Sequence, residues 1–287
     1  MREGAAAQRR SGTEAEWLNG AGCSAPASAK ASAGKAGRRA KSNTKILIHK
    51  EKHMRKICIV SGGSGGLGLA IAELLVKAGK DVLILGRNNE KLNKAAKKIG
   101  RILKNARIST LVCNVGNETD VRNLGKFLEE HQIVTEILFN NAGKGHFASA
   151  LTATSDVIDD IFEASLKGLI LLTSEILKIT PEKEELTIVN VMSTSSLLGR
   201  DQETIYCAAK WGARGYTEAL RTELKGKKRN IIAVFPGGMK TDFYEAAGAN
   251  RDLTGFMDPQ EVADKIVNAV LNSDKLVVTD ITISRKK

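Results

Sequence analysis

The sequence lacks long apolar runs, and its cysteines lack any pattern typical of a metal site. No stretch of its 287 residues approaches the roughly 18 consecutive apolar residues of a membrane-spanning helix, so we predict no membrane contact. The four cysteines, Cys23, Cys58, Cys113 and Cys207, have neither the spacing of metal ligands nor that of a disulfide framework. We therefore expect reduced thiols, no bound metal and a cytoplasmic location.

The sequence also has few aromatic residues, which affects how its positive charge is interpreted. The net charge is +12, and aromatic residues make up 4% of the chain. Residues 1–53 contain 11 Lys and Arg against 4 Asp and Glu, whereas residues 54–287 contain 33 against 28. The larger part is only mildly basic and has no basic stripe interleaved with aromatic side chains. We therefore predict no binding to nucleic acid.

Within residues 1–53, residues 1–43 are rich in Ala, Gly, Ser, Arg and Lys, and contain almost no large apolar residue apart from Trp17 and Leu18. We expect disorder here, because such a segment cannot bury enough surface to offset its ordering entropy. Three interpretations compete: an organellar transit peptide, which Glu3, Glu14 and Glu16 argue against; a basic tether to an acidic partner; and translation from an upstream start. We favour the third, with Met54 as the working initiator. Mass spectrometry of the native N-terminus would contradict it by detecting earlier residues.

Residues 54–287 alternate between apolar runs of strand length and helical patterns. The predicted strands lie at about 57–60, 81–85, 107–113, 134–140, 186–192, 230–235 and 275–281. The predicted helices lie at about 67–78, 89–105, 118–131, 155–179, 204–225 and 259–272. This alternation predicts an α/β fold: a single domain with a Rossmann-like, doubly wound parallel sheet of about seven strands. Ligands of such sheets bind beyond the carboxyl ends of the strands.

A glycine-rich turn joins the first predicted strand to the first helix. In that arrangement the backbone N–H groups of a helix N-terminus receive a pyrophosphate, and glycine is needed because a Cβ would hold the phosphates away. The turn alone is moderate support, because glycine clusters also occur in plain turns. The residues predicted to bind the cofactor here are Ser61, Gly62, Ser64, Gly65, Gly66, Leu67 and Gly68.

The second predicted strand ends in a cation where an acidic residue would favour NAD. Gly86 leaves room there, and Arg87 can face a 2′-phosphate, which predicts a preference for NADP(H) over NAD(H). The alternative is that Arg87 is a solvated loop cation. Past the third strand, Asn114 and its neighbour Val115 are predicted to contact the adenine. Residues 140–143, an Asn-Asn-Ala-Gly run, either let the backbone pass close to the cofactor or form an ordinary turn.

Three further residues point to proton transfer. Tyr206 and Lys210 are spaced i, i+4 and project from one helix face. We expect the lysine ammonium, together with the positive nicotinamide ring, to lower the pKa of the tyrosine, which can then exchange a proton with a carbonyl or alcohol oxygen. Ser193, at the end of the fifth strand, can hold the same oxygen from another side. A Tyr-x-x-x-Lys pair alone is weak support, but with Ser193 and the glycine turn it predicts a redox site.

With these motifs the chain resembles the short-chain dehydrogenase/reductase family. The family pattern Thr-Gly-x-x-x-Gly-x-Gly is present with Ser61 in place of threonine, and Asn-Asn-Ala-Gly stands intact at 140–143. The catalytic Ser, Tyr and Lys of the family match Ser193, Tyr206 and Lys210. The resemblance also implies that Asn141, Ala142, Gly143, Tyr206, Lys210, Pro236, Gly237 and Thr241 bind the cofactor, the threonine at the nicotinamide amide and the lysine at the ribose.

One position departs from the family pattern. Where the family places an asparagine that holds a water in a proton relay, this chain has Ser165, which we treat as a catalytic candidate whose relay function is in doubt. The resemblance further implies a substrate lid near residues 243–257. It also implies a homodimer or homotetramer that pairs the helices at 155–179 and 204–225.

These observations predict an NADP(H)-dependent oxidoreductase that interconverts a small-molecule carbonyl and a secondary alcohol. Hydride comes from the cofactor, and Tyr206 is the proton donor or acceptor. The first alternative is a reductase of 3-oxoacyl thioesters on acyl carrier protein, which shares all these motifs. The second, from a different class, is a nucleotide-binding regulator or scaffold with weak catalysis.

Overall fold

The computed structural model describes residues 54–102, 107–272 and 276–286 of the chain. The expectation of a disordered extension over residues 1–53 lies outside the described residues. Within the described ranges, no helix is both long enough and apolar enough to cross a membrane. Cys58, Cys113 and Cys207 are buried free thiols.

Strands and helices alternate along the described chain. The strands are β1 (Arg55–Ser61), β2 (Val82–Gly86), β3 (Ile108–Val112), β4 (Ile133–Asn140), β5 (Leu186–Val191), β6 (Arg229–Pro236) and β7 (Asp280–Ile283). The helices are α1 (Gly66–Lys77), α2 (Asn89–Gly100), α3 (Glu118–Glu130), α4 (Ser155–Phe162), α5 (Gly168–Ile179), α6 (Thr204–Glu223), α7 (Phe243–Ala246) and α8 (Pro259–Leu271).

All seven strands form one parallel sheet in the order β3-β2-β1-β4-β5-β6-β7. The strand order reverses between β1 and β4, and this switch point opens a crevice at the carboxyl ends of the two strands. The predicted doubly wound sheet of about seven strands is therefore confirmed. The loops that carry the predicted site all leave the same edge of this sheet.

Alternating side chains of the strands feed a separate core on each face of the sheet. In β1, Cys58 and Val60 pack into the cluster beneath α1, α2 and α8, while Ile57 and Ile59 pack into the cluster beneath α3, α5 and α6. All four are completely buried. A strand buried on both faces needs apolar residues at every position, which explains why the predicted strands read as unbroken apolar runs.

Three predicted boundaries are wrong. The second helix was predicted to run to residue 105 but ends at Gly100, because the N–H groups of Arg101 and Ile102 turn back to carbonyls three residues earlier. The last strand was predicted at 275–281 but lies at Asp280–Ile283. Its apolar stretch did not become a strand: Leu276 and Val277 are 80% and 61% exposed. Register with residues 233–236 of β6 places the strand later.

The third correction concerns the helix predicted over residues 155–179. A turn of π-helix at Glu163–Lys167 divides it into α4 and α5. Ser165 is buried inside this turn and bonds to the loop after β4: its hydroxyl accepts the N–H of Lys144 at 3.1 Å and donates to the Lys144 carbonyl at 3.2 Å. Single π turns inside α-helices are frequent at functional sites, and this one adjoins the crevice.

Candidate active site

The loop between β1 and α1 is held in place by a small hydrogen-bond network. The Ser61 hydroxyl donates to the Phe139 carbonyl and accepts the N–H groups of Asn141 and Ala142, both at 3.0 Å. The Asn141 side chain donates to the carbonyls of Ser61 at 3.0 Å and Gly62 at 3.4 Å. Asn141 therefore shapes the glycine loop through its side chain, in addition to lining the crevice.

Glycine occurs at positions 65 and 68 for different physical reasons. A Cβ on Gly68 would lie 2.3 Å from the Gly62 carbonyl oxygen and 2.5 Å from Asn141 Nδ2, so only glycine allows α1 to pack this closely. A Cβ on Gly65 would meet no protein atom within 4 Å. Gly65 precedes α1 at its positive end, and no acidic residue lies in the first turn of that helix. The open space at Gly65 therefore fits a phosphate group.

We expect Gly68→Ala to destabilise the protein itself. Its methyl would collide with backbone atoms that cannot rotate away, at a cost of about 3 kcal/mol and a Tm decrease of roughly 6–12 °C. Differential scanning calorimetry without cofactor measures this.

Gly65→Ala is the matched control, because the φ of −167° at Gly65 suits alanine. It should keep the Tm of the cofactor-free protein but weaken NADPH binding at least about tenfold, because its methyl enters the space predicted for the pyrophosphate. Equal Tm losses in the two variants would contradict this account of the loop.

Two cavities meet at the glycine loop. The smaller one lies where the adenosine half of a dinucleotide is predicted, and its lining includes Ser64, Arg87, Asn114, Val115 and Gly143. Arg87 is exposed there, directly after β2. The Asn114 side chain already donates to Glu163 Oε1 at 2.9 Å, so the residue predicted to contact the adenine is also tied to the π turn.

The larger cavity, of about 1800 Å³, runs from the glycine loop to the predicted catalytic residues. The predicted site residues in its lining are Gly62, Ser64, Gly65, Gly66, Leu67, Asn141, Ala142, Gly143, Ser193, Tyr206, Lys210, Pro236, Gly237 and Thr241. One continuous space thus connects the phosphate-binding turn with Tyr206. Among the described residues, no group of three or more His, Cys, Asp or Glu side chains is placed to hold a metal ion.

Ser193, Tyr206 and Lys210 form one wall of this cavity. Ser193 hydrogen-bonds the Tyr206 phenol, and its own oxygen accepts the N–H of Ser195 at 3.1 Å. The Lys210 ammonium lies 5.9 Å from the centre of the Tyr206 ring and donates to the Val191 carbonyl at 3.2 Å. The i, i+4 spacing therefore places both side chains on the cavity side of α6.

Burial sets the protonation behaviour of this pair in the protein alone. It raises the pKa of the Tyr206 phenol well above its ordinary value, and the hydrogen bond from Ser193 opposes that rise. Burial also lowers the pKa of Lys210 from 10.5 to about 8. The prediction that the Lys210 ammonium and the nicotinamide ring together lower the pKa of Tyr206 stays a prediction, because the direction found here is that of the protein alone, where loss of solvent dominates.

Ser165 lies close to this wall. A Cβ on Gly143 would be 3.3 Å from Ser165 Oγ and 3.4 Å from Lys210 Nζ, so the serine hydroxyl and the ammonium flank the same glycine. The hydroxyl proton and one lone pair of Ser165 are used by the backbone of Lys144. Ser165 thus ties the π turn to the loop after β4, a contact that the sequence pattern did not predict.

Aromatic rings of the lid segment and of the loop after β4 close over Tyr206. The ring centres of Phe243 and Phe147 lie 5.8 Å and 6.1 Å from that of Tyr206, and Tyr244 stacks against Phe147 at 5.1 Å. Tyr206 is consequently only 6% exposed.

Two residues in the same lining, Glu203 and Arg251, were not predicted from the sequence. Glu203 immediately precedes α6 and lies three residues before Tyr206, a spacing that places it next to Tyr206. No sequence pattern marks Arg251.

The chain is similar to several known proteins. The sequence model of a family described as short chain dehydrogenase matches residues 56–252. The chain is 31% identical to a 3-oxoacyl-[acyl-carrier-protein] reductase of Rickettsia felis over 228 residues, 77% of this chain and 90% of that protein. It is 31% identical to the Homo sapiens 3-oxoacyl-[acyl-carrier-protein] reductase over 220 residues, 75% and 90% of the two chains. A solved short-chain dehydrogenase/reductase of Vibrio parahaemolyticus has 29% identity and a TM-score of 0.69, covering 80% of this chain and 100% of that one.

The chain belongs to the short chain dehydrogenase family. It is an NAD(P)-dependent oxidoreductase of the class that acts on CH–OH and C=O groups. The predictions of family, fold class and enzyme class are therefore confirmed. The residue-by-residue assignments and the cofactor preference are taken up below as proposals.

Proposed function

We propose that the chain is an NADP(H)-dependent reductase of small-molecule carbonyls, with Tyr206 as the proton donor. The observation that carries this proposal is the single cavity that joins the phosphate-sized space at Gly65 to the hydrogen-bonded Ser193–Tyr206 pair. A regulator or scaffold that only binds the nucleotide would need the phosphate-sized space at Gly65 but not the Ser193–Tyr206 pair. The wall formed by Ser193, Tyr206 and Lys210 supports turnover instead.

The residues of the cavity fit a nicotinamide dinucleotide. The glycine loop and the N-terminus of α1 would hold its pyrophosphate, and residues 236–241 would border its nicotinamide half. When bound, the dinucleotide supplies or accepts a hydride. The chain excludes water from the reacting end by covering it with the rings of Phe147 and Phe243.

The chain's own residues supply the proton. Ser193 orients the substrate oxygen with its hydroxyl, and Tyr206 transfers the phenolic proton to that oxygen during reduction. Lys210, with its pKa lowered to about 8, lies behind Tyr206 and stabilises the phenolate that remains. Ser165 positions the loop at Gly143 next to Lys210, where a relay to solvent would begin.

We propose that Arg87 selects NADP(H). Arg87→Asp should raise the ratio of the NADPH Kd to the NADH Kd about 10- to 100-fold, because a charge-assisted contact to the 2′-phosphate is replaced by repulsion. Titration of each cofactor by its fluorescence enhancement measures the ratio.

Arg122→Asp is the matched control. It makes the same charge change on exposed α3, at a side chain paired with Glu118 and absent from both cavities. It should leave the ratio as it is in the unsubstituted protein. An unchanged ratio in Arg87→Asp refutes the assignment.

A 3-oxoacyl thioester carried on acyl carrier protein is the second candidate substrate. The two relatives described above are named as reductases of this substrate. Basic side chains line the larger cavity on the side of α2, where an acidic carrier could dock: Lys91, Lys94, Lys97, Lys98 and Arg101, with Arg285 and Lys286 from the last described residues. These cations favour a substrate delivered by an acidic protein.

A substrate panel tests the proposed function. The purified chain is given NADPH with aldehydes, ketones and acetoacetyl thioesters, the thioester being presented both on a carrier protein and as a small-molecule analogue. Oxidation of NADPH by the small carbonyls supports the proposal, and a strong preference for the carrier-bound thioester supports the second candidate. A chain that binds NADPH but turns over nothing faster than Tyr206→Phe is a scaffold.

We also propose a homodimer or homotetramer that pairs α4, α5 and α6 between copies. Ile158 on α4 and Trp211 on α6 support this arrangement, because both large apolar side chains are exposed on these helices at 39% and 46%. Sedimentation velocity tests it, and a monomer at micromolar concentration would contradict it.

A further inference from the structure

A buried carboxylate lies beside the proposed proton donor. Glu203 immediately precedes α6, three residues before Tyr206, and its side chain is only 7% exposed. One of its oxygens accepts the Ser195 hydroxyl at 2.8 Å. The other accepts both terminal nitrogens of Arg251, at 3.4 and 3.5 Å. Arg251 supplies the counter-charge of this buried carboxylate.

Arg251 belongs to the lid segment, residues 243–257, and is the single Lys or Arg in it. Its guanidinium lies 4.4 Å from the centre of the Phe147 ring and 5.3 Å from that of Tyr244. Such cation–π contacts fix the orientation of a guanidinium in a partly dry site. The arginine is therefore held by the body of the protein through Phe147 and Glu203, and by the lid through Tyr244.

The lid position that buries Tyr206 is also the position that pairs Arg251 with Glu203. Phe243, in the same segment as Arg251, lies 5.8 Å from the Tyr206 ring centre. If the lid opened, Phe243 would leave Tyr206, and Arg251 would leave Glu203. A negative charge without a counter-charge would then remain one helical turn from the phenol.

We propose that Arg251 couples closure of the lid to the acidity of Tyr206, with Glu203 as the intermediary. With the lid closed, Arg251 partly neutralises Glu203, so the Glu203 carboxylate opposes the phenolate of Tyr206 less strongly. With the lid open, the Glu203 carboxylate disfavours a second anion beside it, so Tyr206 keeps its proton. The inference rests on the proposed function of Tyr206 and makes Arg251 a positioning residue for it.

The other groups facing Tyr206 do not move with the lid in this way. Lys210 and Cys207 are on α6, and Ser193 follows β5. Arg200 donates to Thr194 at 3.0 Å, and Tyr244, although on the lid, is uncharged. Burial is the main reason for the raised pKa of Tyr206; Tyr244, Glu203 and Cys207 add to the rise. Of these, Glu203 is the charged group that Arg251 pairs with.

The test follows ionisation of Tyr206 without any substrate. The chain has three tyrosines, so the whole protein can be labelled with 3,5-difluorotyrosine, whose phenol is more acidic, and titrated by ¹⁹F NMR. Tyr206→Phe assigns the signal. Arg251→Met should raise the Tyr206 midpoint by about one pH unit, because Glu203 loses its counter-charge.

Three variants make the result decisive. Glu203→Gln should lower the Tyr206 midpoint. Adding Arg251→Met to Glu203→Gln should shift the midpoint no further. This double variant contains no unpaired buried charge, so it can be measured even if Arg251→Met alone folds poorly. Arg285→Met is the matched control, because Arg285 stacks over Phe256 at 4.9 Å without contacting Glu203. It should leave the midpoint in place.

An unchanged midpoint in Arg251→Met overturns the inference. So does an equal shift in Arg285→Met, or an undiminished shift of Arg251→Met in the Glu203→Gln background. If the chain reduces nothing in the substrate panel but shows the expected midpoint shifts, the proposed function is refuted and the coupling of Arg251 to Tyr206 still holds. The two failures are therefore distinguishable.

Discussion

Tyr206→Phe is expected to lower kcat for carbonyl reduction about 10³-fold while NADPH still binds. The substitution keeps the ring that packs against Phe147 and Phe243 and removes the one proton-bearing atom that Ser193 positions. General acid catalysis typically contributes about 10²–10⁴-fold, so loss of the hydroxyl removes that whole contribution. The stability cost is about 1 kcal/mol, for the hydrogen bond lost with Ser193. Stopped-flow turnover and NADPH titration measure the two properties separately.

Tyr216→Phe is the matched control for this prediction. It also removes the hydroxyl of a tyrosine on α6, here a partly buried one that hydrogen-bonds Thr173 and does not line the cavity. Its kcat should stay within about threefold of the unsubstituted protein. A Tyr206→Phe variant with more than a tenth of normal kcat would show that another group delivers the proton.

Lys210→Met is expected to stabilise the protein at pH 7 and to disable it. Burial lowers the pKa of Lys210 from 10.5 to about 8, so folding at pH 7 forces a charged ammonium out of water. The free energy of unfolding should rise by about 1–3 kcal/mol when methionine replaces it, after the lost bond to the Val191 carbonyl is subtracted. Reduction should slow about 10²-fold or more, because the phenolate left on Tyr206 loses its nearby cation.

The pH dependence of this stability difference gives an independent check. Below pH 8 the lysine is protonated in both the folded and the unfolded chain, so the full cost is present. Between pH 8 and 10.5 the folded chain releases its proton first, the cost disappears, and the two proteins should converge in stability. Urea unfolding across this range, with exposed Lys178→Met as control, measures the difference. A difference in the free energy of unfolding that stays constant with pH would mean that burial does not destabilise the charged form of Lys210.

Most of the fold was predictable because the local sequence pattern of each element agrees with the way that element packs in the folded chain. The apolar runs of β1 and β2 could be recognised as strands because both faces of a parallel sheet are buried. The glycine loop was predictable because Gly68 is required by a backbone contact that no other residue allows. Tyr206 and Lys210 were predictable as neighbours because a helix fixes i, i+4 geometry.

What could not be predicted depends on partners that are distant in sequence. The last strand begins at Asp280 because it pairs with β6, and the more apolar Leu276 and Val277 remain exposed. The π turn depends on the bond between Ser165 and Lys144, 21 residues apart. The contact of Arg251 with Glu203 spans 48 residues and leaves no periodic signal. Burial of Tyr206 arises from Phe147 and Phe243, which lie 59 and 37 residues away from it in the chain.

The central claim is that Tyr206 delivers a proton during reduction of a carbonyl by NADPH in this cavity. The most direct measurement supplies NADPH deuterated at the reactive C4 position to the substrate panel and analyses the products by mass spectrometry. The account predicts an alcohol that carries deuterium on its carbinol carbon, formed at similar rates by the unsubstituted chain and Tyr216→Phe and about 10³-fold more slowly by Tyr206→Phe. Binding of NADPH with no deuterated alcohol from any substrate, or equal labelling by Tyr206→Phe, would contradict it.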